Sequence, residues 1–146
     1  MARIRIEMPP KAIAAVNVKV RITDINYGNH VGNDSLVGIL HEARMLWLQK
    51  HGYTELNLCG VGLIMNDLAV EYKNESFFGD VLSITLFVAE ISHVSFELYY
   101  SVSNQHGKTI ARAKTGMVCF NYAERKVSAI PPELIKLITG KILDPL

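Results

Sequence analysis

Cysteine is scarce in this sequence. Cys59 and Cys119 are the two, far apart and each set among apolar residues. They read as reduced core thiols, with a disulfide between them as the minority reading. No CxxC pair or His/Cys cluster occurs, so no metal is expected. Charge of one sign is lacking as well: the net charge is +1, too weak a field to recruit nucleic acid or an anionic membrane surface. No apolar run approaches the roughly 20 residues that span a bilayer. The opening MARIRIEMPPKA interleaves charge with apolar side chains and lacks the apolar stretch of a signal peptide. A cytoplasmic protein without membrane contact is therefore expected. Repeats, low-complexity tracts and composition shifts are missing too, so residues 1–146 read as a single domain.

What is present is a large apolar share, 49% of residues, enough to build one real core. Val16, Val18, Val20 and Ile22 alternate with Asn17, Lys19, Arg21 and Thr23, the pattern of a half-buried strand. A helix is predicted over 34–50. Asn33, Asp34 and Ser35 offer N-cap oxygens and Gly52 a stop. Leu36, Ile39, Leu40, Ala43, Leu46 and Trp47 share one face of it. Val37, Met45 and Leu48 extend the apolar cover, leaving Gly38, Glu42 and Gln49 as the main polar strip and Arg44 apart. A short helix-like piece is predicted over 53–58. Strands follow over 62–73, 80–91, 94–103 and 109–121, with tight connections at Ser92-His93 and Gln105-His106-Gly107. Pro131-Pro132-Glu133 opens a C-terminal helix. The order predicts an α+β fold: one long helix covered by a curved, five-stranded antiparallel sheet.

The segment RITDINYGNHVGNDSLVGILHEAR, Arg21 to Arg44, resembles the 4-hydroxybenzoyl-CoA thioesterase-like family. Members of that family typically read DTDxxGHVNNxxYxxxFEEAR here. Asp24, Asn26, His30, Asn33, Glu42, Ala43 and Arg44 align with that pattern without a gap. Phe77-Phe78-Gly79-Asp80-Val81 looks like the family's aromatic-Gly-Asp turn before a long strand. The resemblance runs from Val16 to Tyr122. It implies a hot-dog fold, with a central helix wrapped by the sheet. It also implies hydrolysis of an acyl-CoA or acyl-carrier-protein thioester, with CoA as part of the substrate and no separate cofactor.

Thioester hydrolysis develops negative charge on the carbonyl oxygen. Backbone N–H groups at a helix N-terminus can hold that charge. Gly28, Val31, Gly32 and Asn33 are accordingly the candidate substrate-binding residues, the glycines allowing close approach of the chain. The family's usual catalytic carboxylate falls on Asn26, which cannot serve as nucleophile or base. Glu42, Asp24 and His30 are the alternative bases, with Asn26 retained to bind water or a carbonyl. Local readings stand beside these. Asp24 suits an Asx turn, Asn33 and Ser35 suit caps, and Trp47, Tyr53, Phe77 and Phe78 suit core or interface. Lys73, Lys108, Arg112 and Lys114 are either solvated charges or CoA-phosphate ligands.

Two other functions stay open at this point: a non-catalytic acyl-CoA or lipid-ligand binding protein, and a hot-dog hydratase. An edge strand and an apolar helix side with no partner predict a homodimer or homotetramer. Acyl length, aryl versus alkyl preference and pathway are not encoded in any motif.

Overall fold

The structure, a computed structural model, describes residues 2–140. Its architecture is α+β with an antiparallel sheet and two helices. The strands are β1 (Ala12–Lys19), β2 (Gly62–Tyr72), β3 (Val81–Ala89), β4 (Ser95–Ser103), β5 (Thr109–Asn121) and β6 (Lys126–Val127). The helices are α1 (Asn33–Lys50) and α2 (Pro132–Thr139). The sheet order is β1-β3-β4-β5-β2, with β6 paired to β5 through Phe120↔Val127 and Asn121↔Lys126. The sheet thus has six strands rather than five. The sixth, two residues long, is too short to announce itself by alternation.

The strongest periodicity gives the best agreement. In β4 the buried residues are Phe96, Leu98, Tyr100 and Val102, every second position. On α1, Leu36, Ile39, Leu40, Ala43, Trp47 and Leu48 enter one cluster with Leu82, Ile84 and Leu86 of β3 and with Ala111, Ala113 and Met117 of β5. Leu46, assigned to the same helix face by spacing, is only half-buried. Burial of this set is the main stabilising term, at roughly 25 cal/mol per Å² of apolar surface removed from water.

Some expectations fail locally. Ile22 is exposed, because the chain leaves β1 at Lys19 and passes into a 3-10 turn over Ile22–Asp24. Residues 53–58 form no helix. Thr54 and Asn57 exchange backbone hydrogen bonds and Leu58 bridges Val61. Cys119 is buried, as expected, but Cys59 is exposed, at a positive φ of 55° in the turn that Leu58 and Val61 close.

Strand β2 is irregular. In β2, Met65 pairs with Met117 but Asp67 pairs with Gly116, so Asn66 is an extra residue, a β-bulge. Asp67 Oδ1 accepts the Gly116 N–H at 2.7 Å, and both Asp67 oxygens take Lys114 Nζ at 3.0 Å. These contacts hold the Asp67 carboxylate below its ordinary pKa, Lys114 contributing most.

Candidate active site

The segment between β1 and α1 ties itself together largely through its own polar groups. Asp24 is buried, and its Oδ2 accepts the Arg21 N–H at 2.8 Å while Oδ1 pairs with the Arg21 guanidinium at 3.3 Å. Its carbonyl accepts the Gly32 N–H at 3.0 Å. Asn26 donates its N–H to the His30 carbonyl at 2.9 Å, and its Oδ1 accepts the Gly28 N–H at 2.9 Å, an Asx turn. Val31 then donates to the Ser76 carbonyl at 2.8 Å, which docks this segment on the loop between β2 and β3.

The start of α1 differs from the sequence reading. Gly32 is the N-cap residue, and no side chain caps the helix. Asn33, Asp34 and Ser35, expected to cap, are instead the first three helical residues. Leu36 N–H reaches the Gly32 carbonyl at 3.0 Å. Among the described residues, the N–H groups of Asn33, Asp34 and Ser35 meet no acceptor. A helix leaves its first N–H groups unsatisfied unless something caps them, and they carry the positive end of the helix dipole.

A cavity of about 210 Å³ lies beside this helix start, lined by His30, Val31, Asn33, Leu36, Tyr72 and Glu75 among others. Val31 and Leu36 give it apolar wall. Tyr72 donates its hydroxyl to the Asn33 carbonyl at 2.8 Å, which holds the end of β2 against the first turn of α1. Burial raises the Tyr72 pKa, and the nearby Asp34 charge adds to the effect.

His30 is the titratable group best placed in the cavity. Its Nδ1 lies 3.1 Å from the Val31 carbonyl, which can only accept, so Nδ1 carries a proton. Its Nε2 is 3.6 Å from Glu75 Oε2. A Cβ added at Gly28 would stand 3.1 Å from His30 Nε2 and 3.3 Å from Asn26 Oδ1, so the absent side chain makes room for the imidazole beside Asn26.

The Gly-Asp turn supports this arrangement from below. Asp80 Oδ2 accepts Phe77 N–H at 2.9 Å and Ser76 hydroxyl at 3.1 Å, and Oδ1 accepts Gln105 at 2.9 Å. Burial alone would raise the Asp80 pKa. Gln105, Phe77 and Ser76, with the nearby His106, outweigh burial and hold it below the ordinary value. Ser76 in turn supplies the carbonyl that holds Val31. Phe77 and Phe78 point outward and are exposed, not core.

Of the residues singled out in the sequence, the structure gathers His30, Val31 and Asn33 around the cavity, with Gly28 and Asn26 packed against His30 and Gly32 at the helix start. Asp24 has both carboxylate oxygens committed to Arg21. Glu42 is exposed and lies nine residues along α1 from Asn33, about 13 Å at 1.5 Å per residue, so within one chain it does not meet the cavity. Arg44 pairs not with Glu42 but with Glu55 at 3.0 Å and the Tyr100 hydroxyl at 3.2 Å, beneath the helix. Glu75 and Tyr72 were not anticipated. The signal available for Glu75 was its place just before the Gly-Asp turn, which the strand pairing brings back to the β1–α1 loop.

The sequence profile described as the thioesterase-like superfamily matches residues 20–138. No curated protein sequence matched the chain. Solved structures of similar fold include a 1,4-dihydroxy-2-naphthoyl-CoA thioesterase from Synechocystis (22% identity, TM-score 0.80, covering 89% of this chain and 98% of that one). A DHNA-CoA thioesterase from Staphylococcus aureus is similar at 16% identity and TM-score 0.77, covering 88% and 90%. Another Staphylococcus aureus protein, solved in complex with CoA, is similar at 18% identity and TM-score 0.77, covering 93% and 87%.

Proposed function

Since this chain belongs to the thioesterase-like superfamily, we propose that it hydrolyses the thioester of an acyl-coenzyme A to the free acid and thiol. The observation that carries this reading is the open start of α1. Three backbone N–H groups without acceptors open the helix, and the first of them belongs to Asn33, which lines a cavity that also holds a histidine. Such donors, fixed before the reaction, are worth most where charge develops.

In this reading the substrate carbonyl oxygen points at the N–H groups of Asn33 to Ser35. A water molecule attacks the carbonyl carbon while His30 Nε2 takes its proton. The tetrahedral oxyanion is held by the helix amides. Collapse breaks the C–S bond, and the imidazolium returns its proton to the departing thiolate. Glu75 steadies the imidazolium charge across 3.6 Å. Asn26, its Oδ1 held by Gly28, offers its carboxamide N–H₂ to the water or the carbonyl. Asp24 shapes the loop through Arg21. Glu42 can join the site only across an interface between two copies of the chain.

An assembly of two or four copies belongs to the same reading. Strand β2 is an edge of the sheet, with Met65, Leu68 and Tyr72 partly exposed along it. Among the described residues no helix is long and apolar enough to cross a membrane. The cysteines without disulfide partners suit a cytoplasmic setting.

The decisive experiment is thiol release from short, long and aryl acyl-CoAs at high protein concentration. Release from at least one class is expected, and none from any class would sink the hydrolase reading. A second reading, acyl-CoA binding without turnover, is favoured by one observation: an amide, Asn26, where the family carries a carboxylate. Saturable binding without thiol release would establish it.

A further inference from the structure

We propose that a second cavity, on the outer face of the sheet, holds the phosphates of the coenzyme A; this rests on the thioester reading above and extends it. The cavity measures about 380 Å³ and lies between an N-terminal arm, Arg3 to Glu7, and the ends of β2 and β5. The arm is pinned in place. Ile6 is buried, its N–H donates to Glu71 Oε1 at 3.0 Å, and Arg3 donates to the Tyr72 carbonyl at 3.3 Å.

Its walls carry an excess of positive charge. Arg3, Arg5, Lys73 and Arg112 face only Glu7 and Glu71, an excess of two charges from four cations and two carboxylates. Glu71 is already occupied, by the Ile6 N–H on one oxygen and by Lys73 Nζ at 3.2 Å on the other. The Ile6 N–H, then Lys73 and Arg112, hold its carboxyl below the ordinary value. Two donors are left over. Arg5 has no partner among the described residues, and Arg112 Nε is buried without an acceptor. Arginine donors left in this way suit phosphate, which presents several acceptor oxygens to a planar fork.

Position selects the ligand. Lys73 lines both this cavity and the one at the start of α1, so the two adjoin. A ligand reaching from one to the other has a neutral, reactive end among Val31, Leu36 and the helix amides and a polyanionic end among arginines. An acyl-coenzyme A has that layout, with an uncharged pantetheine between the thioester and the phosphates. A small, concave, polar recess fits phosphate groups better than the broad face a carrier protein would need.

The test has a binding arm and a kinetic arm. The full chain is titrated calorimetrically with coenzyme A and with adenosine 3′,5′-bisphosphate. Arg5→Gln and Arg112→Gln should each weaken both ligands by about tenfold or more, the worth of one charge-assisted hydrogen bond. Arg5 is exposed, so its variant reads the groove even if Arg112→Gln disturbs the fold. In kinetics, the variants should raise KM for an acyl-CoA while leaving kcat, and all constants for the matching acyl-N-acetylcysteamine thioester, unchanged. Unaltered nucleotide binding in both variants overturns the groove, as does an equal loss on both thioesters. If the wild type releases no thiol from either substrate yet nucleotide binding falls in the variants, the groove stands and the hydrolase reading fails.

Discussion

His30 Nε2 and Glu75 Oε2 face each other at 3.6 Å, while the other ring nitrogen of His30 is held by the Val31 carbonyl at 3.1 Å. The Val31 contact leaves Nε2 as the nitrogen free to exchange a proton with a ligand. His30→Gln keeps a polar group but removes the base. It should lower kcat by about 10² to 10⁴, the range of general acid–base catalysis. Glu75→Gln should lower it less, and KM should change little in either. Steady-state kinetics on one good acyl-CoA checks both; full activity in His30→Gln would remove it from the mechanism.

Gly28 makes room for that imidazole. An added Cβ meets Nε2 at 3.1 Å and Asn26 Oδ1 at 3.3 Å, so a neighbour must shift by a few tenths of an ångström. Gly28→Ala should cut kcat while the melting temperature stays within about 2 °C, because an exposed loop outside the core is altered. Parallel kinetics and thermal melts separate the two effects.

Asp80 predicts an acid limb in stability. Its folded pKa is depressed, so the unfolded chain binds the proton more readily. The stabilisation is complete well above the unfolded value of about 3.9 and is lost as pH falls through the lower folded value. Melting curves from pH 7 to pH 3 should show wild-type and Asp80→Asn proteins converging at the acid end. A constant gap across that range would contradict the assignment.

Arg44 is buried, and Glu55 and Tyr100 hold its charge; Tyr100 passes the network on to Thr115 at 2.7 Å. Glu55→Ala would leave a buried guanidinium short of its counter-ion. It should destabilise the fold by about 3–5 kcal/mol, as measured by urea unfolding. Arg44→Met with Glu55→Gln should recover much of that loss.

The partly exposed apolar residues of β2 predict self-association. Light scattering should give at least twice the chain mass, and Leu68→Lys should shift the population toward smaller species. A monomer at all concentrations would remove the interface, and with it any part for Glu42.

The sequence made legible what depends on local pattern. The alternation of Phe96, Leu98, Tyr100 and Val102, the apolar spacing of α1 and the proline start of α2 all hold in the structure. What was not legible depends on where distant segments meet. Nothing local could say that Gly32, at φ −67° and ψ 152°, would cap α1 in place of Asn33 or Ser35. That small difference is what leaves the helix amides open. Glu75 joins His30 only because Val31 pairs with Ser76 across the fold. Cys59 looked interior from its neighbours, yet the turn between Leu58 and Val61 turns it out to solvent.

The extra residue at Asn66 changes the parity of β2. Leu63, an odd-numbered position, sits in the core, while Tyr72, an even-numbered one, reaches Asn33 on the same side. Deleting Asn66 would remove the bulge and leave Leu63 and Tyr72 on one face by plain alternation, whereas one residue added without a matching bulge would turn the two halves of the strand to opposite faces. In that second case Glu71 would be pressed toward α1, and Tyr72 toward the N-terminal arm. The bulge therefore absorbs the odd residue between Leu63 and Tyr72 and keeps both faces of the strand in place.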